Sequence, residues 1–124
     1  MAESRQTQPP VTPPSGATAA EWSQKWFGVP TRLRRRTVSV STTPTEILSN
    51  DPKRIFWAAA NRSINDGAIG SNNELTFANG DLIAALGGRA ESAVQEDGET
   101  TAWAVFAINN SADGNWIITD ITRV

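Results

Sequence analysis

Four carboxylates, Glu91, Glu96, Asp97 and Glu99, stand close together in the sequence. Two carboxylates at the right separation are all that glycoside hydrolysis requires, so a catalytic site would first be sought here. The rest of the chain gives such a site no help. Its 124 residues contain no histidine, cysteine or tyrosine. That removes histidine, the usual base that activates a nucleophile, and the common ligands of zinc, haem and iron–sulfur clusters. The four carboxylates also crowd Asp97-Gly98, a turn dipeptide, where a solvated acidic loop is the ordinary outcome. A second pattern, NNSADGNWIITD, places Asn109, Ser111, Asp113, Gly114 and Asp120 at the spacing of an EF-hand loop. Its first position is not Asp, its last is the shorter acid and its flanks read as strands, so a hairpin turn is favoured over calcium. Gly87-Gly88 precedes no Lys-Ser or Lys-Thr and reads as a turn, not a phosphate loop. The expectation is a protein that is not an enzyme and holds neither cofactor nor metal.

Binding chemistry lies earlier. The stretch GVPTRLRRRTVSV gathers Arg32, Arg34, Arg35 and Arg36, four of the chain's eleven cations. Such a cluster could hold phosphates, which makes nucleic acid the natural rival reading. Against it, the expected sheet strands are poor in Lys and Arg, aromatics are not interleaved with basic residues, and the isoelectric point is about 5.0. Charge on a strand edge also guards against aggregation, and the same edge can select an acidic protein partner. Immediately upstream, TAAEWSQKWFG carries Trp22 and Trp26 at i and i+4 with Phe27 beside them. These rings either pack back on the protein's own sheet as a lid or anchor the segment in a groove of a neighbouring subunit. Residues 1–62 hold nine basic and four acidic side chains, +5, and residues 63–124 hold two and nine, −7. Complementary surfaces of this kind favour head-to-tail contact between copies.

The elements that must position these residues follow from composition and period. Residues 1–17, rich in Pro, Thr, Ser, Gln and Ala, form an extended arm that cannot bury enough apolar surface to order itself. Residues 18–36 form a short helix and a basic linker: Thr18 and Glu21 have capping-box spacing, and Gly28 and Pro30 end a helix running from about Ala19 to Phe27. Residues 37–124 are the folded domain. Val38 and Val40 alternate with Thr37, Ser39 and Ser41 as a strand with one wet face, and Asn50-Asp51-Pro52 is a turn. RIFWAAAN suits a strand covered on both faces. NDGAIGSNN reads as a loop, ELTFA as a strand with Leu75 and Phe77 on one face, and DLIAALGG as a helical turn or a strand. RAESAV is a strand, a long buried strand runs from about Thr101 to Ile108, and a final strand runs from Trp116 to about Arg123. The last two flank a turn and are expected to form an antiparallel hairpin. Asn61-Arg62-Ser63 and Asn109-Asn110-Ser111 match the glycosylation triplet, but no secretory signal is expected in MAESRQTQPPVTPPSG, so both are read as chance. No apolar run approaches the roughly 18 residues of a membrane span.

Seven or eight short strands punctuated by Gly, Asn, Asp and Pro define an all-β fold, a compact antiparallel β-sandwich or small barrel. An arm with a short helix, the strands TVSVSTTPTEIL and IFWAAAN, and the terminal strands WAVFAI and WIITDITRV together resemble the small virion structural proteins of tailed viruses. These include capsid decoration (cement) proteins and head or tail accessory proteins. The resemblance spans about residues 31–124 and implies a virion protein, assembled in the host cytoplasm, that clamps a shell, often as a trimer, through an extended arm. The partners so implied are other copies of the chain and a capsid or tail surface. Trp22, Trp26 and Phe27 would be the anchor and Arg32, Arg34, Arg35 and Arg36 an electrostatic latch. The alternatives are a glycan- or receptor-binding module, with Trp57, Trp103 or Trp116 stacking on sugar faces, and a nucleic-acid binder through the arginines.

Overall fold

The computed structural model describes residues 30–124. The expected helix from Ala19 to Phe27 and its three aromatic rings lie outside the described residues. Eight strands form two four-stranded antiparallel sheets. They are β1 (Thr31–Val40), β2 (Thr45–Leu48), β3 (Arg54–Asn61), β4 (Gly67–Gly70), β5 (Asp81–Ile83), β6 (Gly88–Ala93), β7 (Val105–Asn109) and β8 (Gly114–Arg123). Their order is β1-β8-β3-β6 in the first sheet and β2-β7-β4-β5 in the second. Between β6 and β7 the chain makes one helical turn, α1 (Val94–Asp97), and a 3-10 turn, Gly98–Ala102.

The all-β reading holds, and the alternation explains the first sheet. Val38, Val40, Trp116, Ile118, Trp57 and Ala59 point inward and meet Ile47, Leu48, Val105 and Ala107 of the second sheet. RIFWAAAN is the strand between β8 and β6, with little of it left in solvent. β1 is longer than its Val-Ser alternation suggested: it begins at Thr31, so all four arginines belong to an edge strand paired with β8, not to a linker.

Four expectations fail for definite physical reasons. The stretch read as a loop contains β4, whose Gly67 is needed for close approach: a Cβ there would lie 2.6 Å from the Trp116 ring and 2.8 Å from the Ile108 carbonyl. ELTFA is not a strand. Leu75 and Phe77 belong to a turn-rich cover, residues 71–80, that packs on Ala68, Ile108 and Phe106 across the outer face of the second sheet. The strand expected from Thr101 begins only at Val105, because the 3-10 turn occupies the preceding residues. The last two strands form no hairpin: β7 pairs with β2 and β4, while β8 pairs with β1 and β3. Their connection crosses from one sheet to the other. DLIAALGG resolves as β5 followed by a turn in which Leu86 and Gly87 take positive φ, 59° and 118°.

Candidate functional site

The two-residue period of β1 divides its arginines between the faces of the sheet. Arg34 and Arg36 share the face of Val38 and Val40, whereas Leu33 and Arg35 face outward. Arg34 lies opposite Asp120, whose side chain is fully buried. Its guanidinium donates from Nε to Asp120 Oδ1 at 3.2 Å and from Nη2 to Oδ2 at 2.7 Å. Arg54, itself buried, donates from Nε to the same Oδ2 at 3.3 Å and from Nη2 to the Ser49 carbonyl at 2.6 Å. Its Nη1 lies 3.3 Å from the Trp103 carbonyl. One carboxylate thus serves two guanidinium groups, with Asp51 at 3.5 Å from Arg34 as a second counter-ion. The hydrogen bond to Asp120, then that carboxylate's charge, raises the Arg34 pKa above its ordinary value; burial opposes this and Asp51 adds to it. Arg36 donates from Nη2 to the Ile47 carbonyl at 2.5 Å and so ties β1 to the second sheet.

Two of the four clustered arginines are therefore committed within the chain. Among the described residues, the side chains of Arg32 and Arg35 make no hydrogen bond or ion pair. Arg35 joins Arg62 and Arg89 around a shallow hollow of about 330 Å³ floored by Ala58, Ala60, Ile117 and Thr119. Arg89 also reaches Glu91 at 3.3 Å. Leu33, on the same outer face, is 63% exposed. The first sheet thus presents an open apolar floor studded with arginines. On the second sheet's outer side the 71–80 cover lies over Ala68, Ile108 and Phe106 and leaves Leu82, opposite Ala68, 64% exposed; the exposed Glu46 and Glu74 belong to that side. One ground for setting nucleic acid aside is corrected here: the arginines are themselves sheet residues.

The carboxylates considered for catalysis do not converge on an open cleft. Glu91 is paired with Arg89, and Asp97 accepts from the Ser92 hydroxyl at 2.7 Å and from the Ala93 N–H at 3.2 Å, fixing the helical corner. Of the tryptophans weighed as sugar platforms, Trp116 and Trp57 are buried, and Trp103 is 51% exposed. Trp103 borders a hollow of about 750 Å³ at one end of the sandwich, with Pro52, Ile55, Val94, Ala102 and Arg123 among its walls.

Sequence reasoning missed a buried polar cluster at the crossing between the sheets. Trp116 donates from Nε1 to Asn109 Oδ1 at 2.8 Å, and Asn109 Nδ2 donates to the Ser63 hydroxyl at 3.1 Å. The Ser63 N–H donates to Asn61 Oδ1 at 2.9 Å, and Asn61 Nδ2 reaches the Asn65 and Ile83 carbonyls. Both asparagines of the apparent glycosylation triplets are thus core residues with their amides engaged, and neither offers an acceptor nitrogen to the surface. The signal that was available lay in register. Asp120 follows Trp116 and Ile118 on the inward positions of β8, where a carboxylate needs a partner.

Together these features define an eight-stranded antiparallel β-sandwich with one sheet face partly covered by a loop and the other open. No protein-family model and no curated protein matches the chain. Among solved structures it is similar to a chain from the Bacillus endospore appendages, described as a novel family of disulfide-linked pili. The TM-score is 0.44 and the identity 11%, covering 76% of this chain and 88% of that one.

Proposed function

We propose that the protein is a non-enzymatic structural subunit that assembles with copies of itself through the open face of its first sheet. The observation that carries this reading is the contrast between the two outer faces. Residues 71–80 lie over Ala68, Ile108 and Phe106 of the second sheet and leave Leu82 exposed at its edge, whereas no segment among the described residues lies over Phe56, Ala60, Ile117 and Ile121, which are half-buried, or Leu33, which is exposed. An apolar sheet face bearing arginines has the composition of an interface. Its partner is a surface of opposite sign, which the Glu46 and Glu74 side of a second copy supplies. Assembly on a shell, as a virion decoration or head–tail accessory protein attached through Arg32, Arg35 and residues 1–29, is the specific form of this function that the sequence style favours.

Sizing with light scattering across a concentration series tests it. The full chain should self-associate at low salt, and Arg35→Glu with Arg62→Glu should be monomeric with an unchanged far-ultraviolet circular dichroism spectrum. A wild-type chain that remains monomeric at every concentration would sink self-assembly. Among the described tryptophans, Trp103 alone has the exposure that a sugar platform needs. The hollow of about 750 Å³ beside it combines apolar walls at Pro52, Ile55, Val94 and Ala102 with the polar side chains of Asn50, Asp51, Gln95 and Glu99.

A further inference from the structure

The end hollow lies beside the point where the N-terminal segment joins the sandwich. Thr31 is the register partner of Arg123, and the Val124 N–H donates to the Pro30 carbonyl at 3.0 Å. Arg123 lines the hollow, and its guanidinium donates to the Pro52 carbonyl at 3.3 Å. Antiparallel partners lie about 5 Å apart, so the chain enters β1 one strand away from the near wall. From there the hollow extends past Ile55 of β3 to Val94, the 3-10 turn and Trp103. Its walls expose apolar surface that the sandwich does not use: Trp103 is 51% exposed and Val94 37%.

The sequence just before Thr31 is the aromatic one. Phe27 and Trp26 precede it by four and five residues, and Trp22 comes four residues before Trp26. Four residues of extended chain reach roughly 13 Å, enough to cross from β1 past β8 to Ile55, given strand spacings of about 4.8 Å. Three such rings bring roughly 150–250 Å² of surface each. The hollow offers them Pro52, Ile55, Val94, Ala102 and Trp103, with Asn50, Gln95 and Glu99 at hand for the indole N–H groups.

We infer that the segment bearing Trp22, Trp26 and Phe27 docks in this hollow of its own chain, covering Trp103. The tether decides for the chain's own segment over a second copy's. A linker of a few residues sets an effective concentration in the millimolar range, which a free copy matches only at comparable protein concentration. Docking there leaves Arg35, Arg62 and Arg89 uncovered, so the inference does not depend on self-assembly. It also makes the segment an anchor for residues 1–17, which would leave the molecule from the sandwich end.

Acrylamide quenching of the full-length chain tests this. In Trp22→Phe with Trp26→Phe, the remaining fluorophores are Trp57 and Trp116, both buried in the sandwich, and Trp103, which therefore reports on the hollow. The docked segment should hold the accessible fraction low, unchanged over a hundredfold dilution. Trp22→Asp with Trp26→Asp should raise the quenching of Trp103 several-fold while leaving the circular dichroism spectrum alone. Equal quenching of Trp103 in the two variants would overturn the docking. Protection that disappears on dilution would overturn the assignment to the chain's own segment and give the hollow to a second copy.

Discussion

At the scale of single residues, Asp120 carries the largest consequence. Its carboxylate is fully buried between Arg54, also buried, and Arg34, whose side chain is about half exposed. Removing one member of a buried pair leaves the other as an uncompensated charge, at a cost of about 3–5 kcal/mol. Asp120→Asn strands the Arg54 guanidinium with only carbonyl acceptors. It should therefore lower the midpoint of urea unfolding by an amount in that range, with little change in slope. Arg34→Ala should cost far less, about 1 kcal/mol, because solvent screens its exposed end and Arg54 still neutralises Asp120. Equal losses for the two substitutions would mean that Arg54 does not hold the carboxylate. Because the Arg34 pKa is raised, its contribution is complete below the ordinary arginine value and disappears only as pH climbs through the raised one. Buffers near neutrality should leave the Arg34→Ala effect constant. The sequence displayed the four arginines plainly, but it did not show which were already spent. That depends on Asp120 being placed opposite Arg34, a register set by the β1–β8 pairing.

At the scale of elements, much of the first sheet was legible and the path between sheets was not. The alternation of Val38 and Val40 identified β1, because burial of one face of a pleated strand imposes a period of two; the short run RIFWAAAN, apolar on both faces, identified β3, and the final strand from Trp116 identified β8. Period says nothing about which sheet receives a strand. The β7–β8 connection therefore looked like a hairpin turn, whereas Asn109 turns its amide inward to Ser63 and Trp116 and the chain changes sheets. Gly67 and Leu75 misled for a related reason: a glycine needed for close packing and a leucine in a covering loop look locally like a turn and a strand. The crossing should be energetically coupled. Asn109→Ala leaves the Trp116 indole N–H buried without its acceptor, a loss of about 1–3 kcal/mol. In a Trp116→Phe background the orphaned donor is gone, so the same substitution should cost measurably less. Chemical denaturation of the four proteins in the cycle measures the difference. Simple additivity would mean that the hydrogen bond does not secure the crossing.

At the scale of the whole molecule, charge divides between sides of the sandwich along lines that the sequence halves do not follow: Arg89 comes from the acidic half and Glu46 from the basic one. Arg35, Arg62 and Arg89 share the open face, and Glu46 and Glu74 belong to the covered side. A contact that joins the face of one copy to the opposite side of the next is heterologous. It continues into an open chain unless its rotation closes a ring. Contact between two open faces would instead set arginines against arginines, which like-charge repulsion disfavours. The head-to-tail arrangement makes a distinctive claim about charge reversal. Arg35→Glu with Arg62→Glu should abolish assembly, and so should Glu46→Arg with Glu74→Arg, because each leaves like charges across the contact. Mixed in equal amounts, the two variants should assemble again, since every contact between unlike partners pairs opposite signs. Light scattering of each variant and of the mixture, at low and high salt, measures this. Restored assembly that weakens with salt is the expected result. Two inactive variants that stay monomeric when mixed would show that these side chains do not meet across the contact. Assembly would then have to be sought at another surface, with the exposed edge of β1 the first candidate.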